Sequence, residues 1–105
     1  LKFDLENLEI KRPEKWDKKW RVVYFDIPNK FKRQRNFFFN KIKALGFYPM
    51  QESVLVHPFD CNNEIKFIRE VLGIAHFVKI GVLETVENEE ELKKIFSYEL
   101  KLFCS

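Results

Sequence analysis

The chain has 105 residues, one domain's worth at about 100–200 residues per domain, with 46% hydrophobic and 33% charged residues, 12 Phe and a net charge of +3. That excludes disorder for most of its length, and no apolar run approaches the ~18 residues that cross a bilayer. Two thiols, Cys61 and Cys104, are too few and too far apart for a disulfide framework or a Cys-x-x-Cys metal clip, so a reducing, cytoplasmic setting with no membrane contact is expected.

Residues 1–19 have no clean period, contain Pro13 and a cluster of Lys, and read as a linker or arm. Because the first residue is Leu1 rather than Met, an upstream domain is expected before this arm. At residues 21–28 a run of β-branched and aromatic side chains closed by Pro28 predicts a strand. Val22 and Tyr24 point to one face and Val23 and Phe25 to the other, so both faces are apolar and the strand is expected to be central. Asn29 stands at an N-cap position, and residues 30–45 run without Gly or Pro to Gly46, which predicts a helix. Phe31, Phe38, Ile42 and Leu45 share one stripe, while Lys32, Arg33, Asn36, Asn40 and Lys43 lie opposite. Residues 47–59 predict a hairpin turning at Gln51 and Glu52, with Pro49 on an edge strand because it has no N–H for a ladder. Ile65, Ile68, Val71 and Leu72 then mark a second helix stopping at Gly73, and Val78, Ile80 and Val82 one side of a last strand within residues 77–86. Asn88 and Glu91 form a capping-box pattern opening a short helix through Phe96.

The organisation expected is an arm at 1–19, a domain at 20–87, and a C-terminal helix and tail at 88–105. The order strand, helix, strand, strand, helix, strand with right-handed crossovers predicts an α+β, ferredoxin-like βαββαβ fold, with a four-stranded antiparallel sheet, two helices on one face and a short C-terminal helix. Its second sheet face is expected to be covered, most simply by a second copy in a homodimer.

Charge is distributed unevenly. Residues 11–43 hold twelve Lys and Arg against Glu14, Asp17 and Asp26, whereas residues 44–105 hold six bases against ten acids. A basic segment with interleaved Trp16, Trp20, Phe31 and Phe37 has the footprint of a phosphate-backbone binder, because neutralised phosphates release counterions. Lys30, Lys32, Arg33, Arg35 and Lys43 are the candidate nucleic-acid contacts; a merely solvated face is the ordinary alternative. The two Trp either stack on bases or anchor the arm, and anchoring is the commoner role. His57 and His76 have no partner at ligand spacing, so no transition-metal site is expected, and Cys61, with no identifiable base, is expected to be structural.

Val-Val-Tyr-Phe-Asp-Ile-Pro at 22–28, the bases Lys32, Arg33 and Arg35, Leu-Gly-Phe at 45–47 and Gln-x-Ser-Val at 51–54 resemble the CRISPR-associated protein 2 family, small ferredoxin-like dimers of the CRISPR adaptation complex. Trp-Asp-Lys-Lys-Trp-Arg at 16–21 and Pro-Phe-Asp-Cys at 58–61 look more like the middle domain of PaaX-type transcriptional repressors, where a similar dimerising domain follows a winged helix. That second resemblance implies a dimerisation module of a regulator, associated with DNA or RNA. The first implies a Mg²⁺-dependent endonuclease, in which Asp26 and its symmetry mate hold the metal at the dimer axis and polarise a phosphate. It equally implies a non-catalytic adaptation subunit that positions DNA for an integrase subunit. The family's nucleases begin almost directly at the first strand, whereas residues 1–19 precede it here, which favours the regulator. Under that reading Asp26 shapes the turn, and Gln51 and Ser53 hydrogen-bond within the hairpin.

Overall fold

The computed structural model describes residues 4–101; Cys104 lies outside them. The strands are β1 (Trp20–Phe25), β2 (Tyr48–Gln51), β3 (Val54–His57) and β4 (Val78–Leu83). The helices are α1 (Lys32–Ala44), α2 (Asn62–Val71), α3 (Glu89–Ile95) and the single turn α4 (Ser97–Leu100), with 3₁₀ turns at Asn29–Phe31 and Ala75–Phe77. All strand pairs are antiparallel, in the order β2-β3-β1-β4. This is the ferredoxin-like arrangement, with β1 inside the sheet and Pro49 on the edge strand β2, where its missing N–H leaves no ladder bond unmade. Register slips between Pro49 and Gln51, a bulge beside the hairpin turn.

Alternation along β1 divides two cores. Val23 and Phe25 join Leu55 and Val78 from the sheet with Phe38 and Ile42 of α1 and Ile65 and Ile68 of α2, so both long helices cover one face. Phe25 and Phe38 meet edge-on with centroids 5.4 Å apart. On the other face, Trp20 and Val56 pack with Leu92, Phe96 and Leu100 of α3 and α4, together with Trp16 and Phe59. The expectation that a second copy covers this face is therefore corrected for its Trp20 end, which the chain's own C-terminal helices cover. The far end stays open: Tyr24 is 47% exposed, beside half-buried Val22 and Val54. Over its described residues, 4–19, the arm lacks helix and strand yet is anchored, with Leu8 buried in the first core and Trp16 in the second.

Both long helices end in the same way. Gly46 and Gly73 take left-handed φ values of 106° and 69°. The Phe47 and Gly46 N–H groups then donate to Ile42 and Lys43 carbonyls at 3.1 and 3.0 Å, and those of Ile74 and Gly73 to Arg69 and Glu70 at 2.9 and 3.1 Å, closing otherwise orphaned carbonyls. A Cβ at Gly73 would meet nothing within 4 Å. Gly73→Ala should therefore cost only the left-handed backbone penalty of about 1 kcal/mol, read as a lower urea midpoint, and a cost near zero would contradict this turn.

Helix starts depart from the sequence pattern. Asn29 opens a 3₁₀ turn and makes no cap bond with its side chain, so α1 begins at Lys32. Asn88 precedes α3 as expected, but its side chain caps nothing and the capping box does not form. Val71 and Val82 are 53% and 57% exposed rather than core. One is the last residue of α2, and the other lies one pair from the end of β4, an edge strand open on its outer side.

Candidate nucleic-acid interface and the adjoining cleft

Pairing of Tyr24 with Val54 sets the end of β1 against the β2–β3 turn. There the Phe25 N–H donates to the Ser53 carbonyl at 3.2 Å and the Asp26 N–H to the Phe77 carbonyl at 3.0 Å, which fixes Asp26 just past the strand. Its exposed carboxylate borders an open cleft of about 800 Å³ with Arg35, Asn36, Asn40, Glu52 and Ser53. Glu52 and the two Asn were not expected as site residues. The signal for Glu52 was its place at the hairpin centre, which register carries to the end of β1; the Asn pair shares one helical face at i and i+4.

Arg35 is half-buried. Its Nη1 donates to the Ile27 carbonyl at 3.1 Å and its Nη2 to Asn29 Oδ1 at 3.3 Å, so it braces the loop ahead of α1 while still bordering the cleft. Mg²⁺ demands near-octahedral oxygen coordination. One chain offers the Asp26 and Glu52 carboxylates and the Ser53 hydroxyl, with the permanent Arg35 cation alongside. Among the described residues no group of three His, Cys, Asp or Glu is gathered to hold a metal. The donors of a single chain fall short of a Mg²⁺ site, and another carboxylate would have to come from a second copy.

Next to the cleft, α1 and the 3₁₀ turn that leads into it are strongly cationic. Lys30, Lys32, Arg33 and Lys43 are exposed, and residues 29–45 contain no acid. None of these bases has an ion pair among the described residues, where the pairs join Arg21 to Asp17 and Lys93 to Glu89 and Glu90. Lys30 Nζ and Lys43 Nζ lie 5.4 and 5.6 Å from the Phe31 and Phe39 ring centroids. Lys30, Lys32 and Arg33 sit at the positive end of the helix dipole, a placement that disfavours the helix and favours an anion beside it.

The remaining candidates are structural. Trp16 Nε1 donates to the carbonyls of Pro58 at 2.7 Å and Lys19 at 3.1 Å. Arg21 forks onto Asp17 at 2.9 and 2.5 Å, a bond that holds the Asp17 carboxyl below its usual range, and also donates to the Pro58 carbonyl at 2.9 Å. Both Trp are buried and offer no platform for stacked bases. His57 lies 5.0, 5.6 and 5.9 Å from the rings of Phe47, Phe59 and Phe96, and its Nδ1 accepts the Phe59 N–H at 3.1 Å. Burial, with the Arg21 charge nearby, pushes it down to about 4, so it is neutral at pH 7. Burial, reinforced by the Glu64 and Asp60 charges, pushes the Cys61 thiol up to about 12, which removes it as a nucleophile near neutrality.

A family model described as the PaaX protein central Cas2-like domain matches residues 13–95, a span that opens in the arm and closes at the last residue of α3. No curated protein and no solved structure matches the chain.

Proposed function

The chain belongs to the family of PaaX central Cas2-like domains, and on that premise we propose that it is the dimerisation and nucleic-acid-associated module of a transcriptional regulator acting on DNA in the cytoplasm. The observation that carries this reading is α1, whose exposed bases have no acid on the same helix and no ion pair among the described residues. Such a surface gains most from a phosphate backbone, which supplies regularly spaced charge without requiring base contacts. Sequence reading then belongs to another domain of the full protein. The open end of the second sheet face, Val22, Tyr24 and Val54, is where a second copy would sit, because apolar surface there is left uncovered.

Binding to a short DNA duplex, followed by fluorescence anisotropy across a salt series, tests this. Each phosphate contact contributes about −0.9 to the slope of log K against log salt. Lys30→Ala/Lys32→Ala/Arg33→Ala should flatten the slope by about 2–3 and weaken low-salt affinity at least about tenfold. A salt-independent affinity, or an unchanged triple variant, would remove α1 as the contact surface.

The meeting of Asp26 and Glu52 in one cleft favours a second reading, a Mg²⁺-dependent endonuclease whose metal needs carboxylates from two copies. Cleavage of labelled RNA or DNA that disappears both with EDTA and in Asp26→Ala would replace the regulator reading. A chain that binds an intact duplex without cutting it removes the endonuclease reading and leaves a non-catalytic, DNA-associated module.

A further inference from the structure

A second cavity, of about 550 Å³, lies between the arm and the C-terminal helices, away from both α1 and the Asp26 cleft. We propose that it binds a small amphipathic organic anion, a single carboxylate or sulfonate on an apolar body. Its volume falls within the range of about 300–1,000 Å³ typical of small-molecule sites.

The lining dictates the ligand class. The floor is apolar, formed by the small exposed parts of Trp16 and Leu100, 9% and 4% of their surfaces, with the methylene stems of the surrounding lysines, and because the Trp16 indole N–H is already committed to two carbonyls, that ring edge offers only carbon to a ligand. Four cations border the same space: Lys15, Lys18, Lys93 and Lys101. The one acid, Glu89, is engaged, with Oε1 accepting the Trp20 Nε1–H at 3.1 Å and Oε2 3.5 Å from Lys93 Nζ. Lys15, Lys18 and Lys101 have no ion pair among the described residues, so positive charge is left over around an apolar surface. Lys18 has a left-handed φ of 63°, in the turn whose Lys15, Trp16 and Lys18 line the cavity with residues of α3 and α4.

A nucleic-acid backbone or inorganic phosphate would use the lysines and leave the apolar surface wet. A neutral apolar compound would use the surface and leave the lysines without a partner. An amphipathic anion satisfies both. The site does not depend on the DNA reading, because none of its lysines lies on α1.

The probe is 8-anilinonaphthalene-1-sulfonate, titrated into the chain and followed by energy transfer from the Trp residues. Saturable binding of one probe per chain is expected, displaced by decanoate and not by decanol. Lys18→Glu/Lys101→Glu changes two exposed side chains and should leave the circular dichroism spectrum intact while weakening the probe at least about tenfold, from two reversed charges within a few ångströms of the anion. Equal affinity in that variant, equal displacement by decanol, or displacement by inorganic phosphate or duplex DNA at matched concentration would each overturn the proposal. Loss of DNA binding in the α1 variants leaves this result untouched, so the two readings fail separately.

Discussion

Trp20→Ala should destabilise the chain by about 3–5 kcal/mol, the range for removing a fully buried aromatic, and a substantial share of the ~5–15 kcal/mol that holds a small domain together. Trp20 is wholly buried, contacts Trp16 edge-on with centroids 5.1 Å apart, lies 5.9 Å from Phe96, and donates its indole N–H to Glu89. It is the point where arm, sheet and C-terminal helices meet. Truncation should therefore loosen α3 and α4 first, with faster amide exchange across 89–100 than in the Val23 and Phe25 core. Trp20→Phe retains most of the ring and loses the indole hydrogen bond, which should cost only about 1–2 kcal/mol. Urea unfolding followed by far-ultraviolet circular dichroism measures both variants, and the Phe variant remains informative if the Ala variant does not fold. Equal, small costs for the two would mean that Trp20 does not hold the C-terminal helices on the sheet.

The second large effect is loss of stability in acid. His57 is only 4% exposed, and burial followed by the nearby Arg21 charge lowers it from 6.5 to about 4 in the folded chain. Between those values the unfolded chain binds a proton that the folded chain refuses, so unfolding becomes easier as pH falls. Stability should drop by about 1.4 kcal/mol per pH unit, on the order of 3 kcal/mol from pH 6.5 to pH 4. The Asp17 carboxyl, lowered by its bond to Arg21, begins to lose its contribution only below about 3.8, outside most of this window. His57→Asn retains an acceptor for the Phe59 N–H but cannot take up the proton. Its stability at pH 7 should be lower, from lost ring contacts, and its acid slope flatter. An identical slope in the two proteins would place the acid sensitivity elsewhere.

The acid sensitivity illustrates what local pattern leaves out. In the sequence His57 is a lone histidine beside Pro58; three aromatic rings brought from different elements make it a buried neutral base. Glu52 likewise becomes Asp26's neighbour only through β1–β3 register, and Arg35 becomes a brace only because the loop ahead of α1 folds back under it.

Strand and helix order, the central place of β1, the edge place of Pro49, the glycine stops and the acid-free basic run from Lys30 to Lys43 were all determined by the sequence itself. Each rests on short-range physics: alternation, helical periodicity, a missing N–H, a left-handed turn, and charge counted along a segment. Tertiary structure alone decided which half of the second sheet face stays open, because coverage by α3 and α4 depends on long-range packing around Trp20, Phe96 and Leu100. It also decided which bases are free and which are spent, and it built the two cavities. A charge's availability and a cavity's lining are set by residues far apart in the chain, and no local period encodes their meeting.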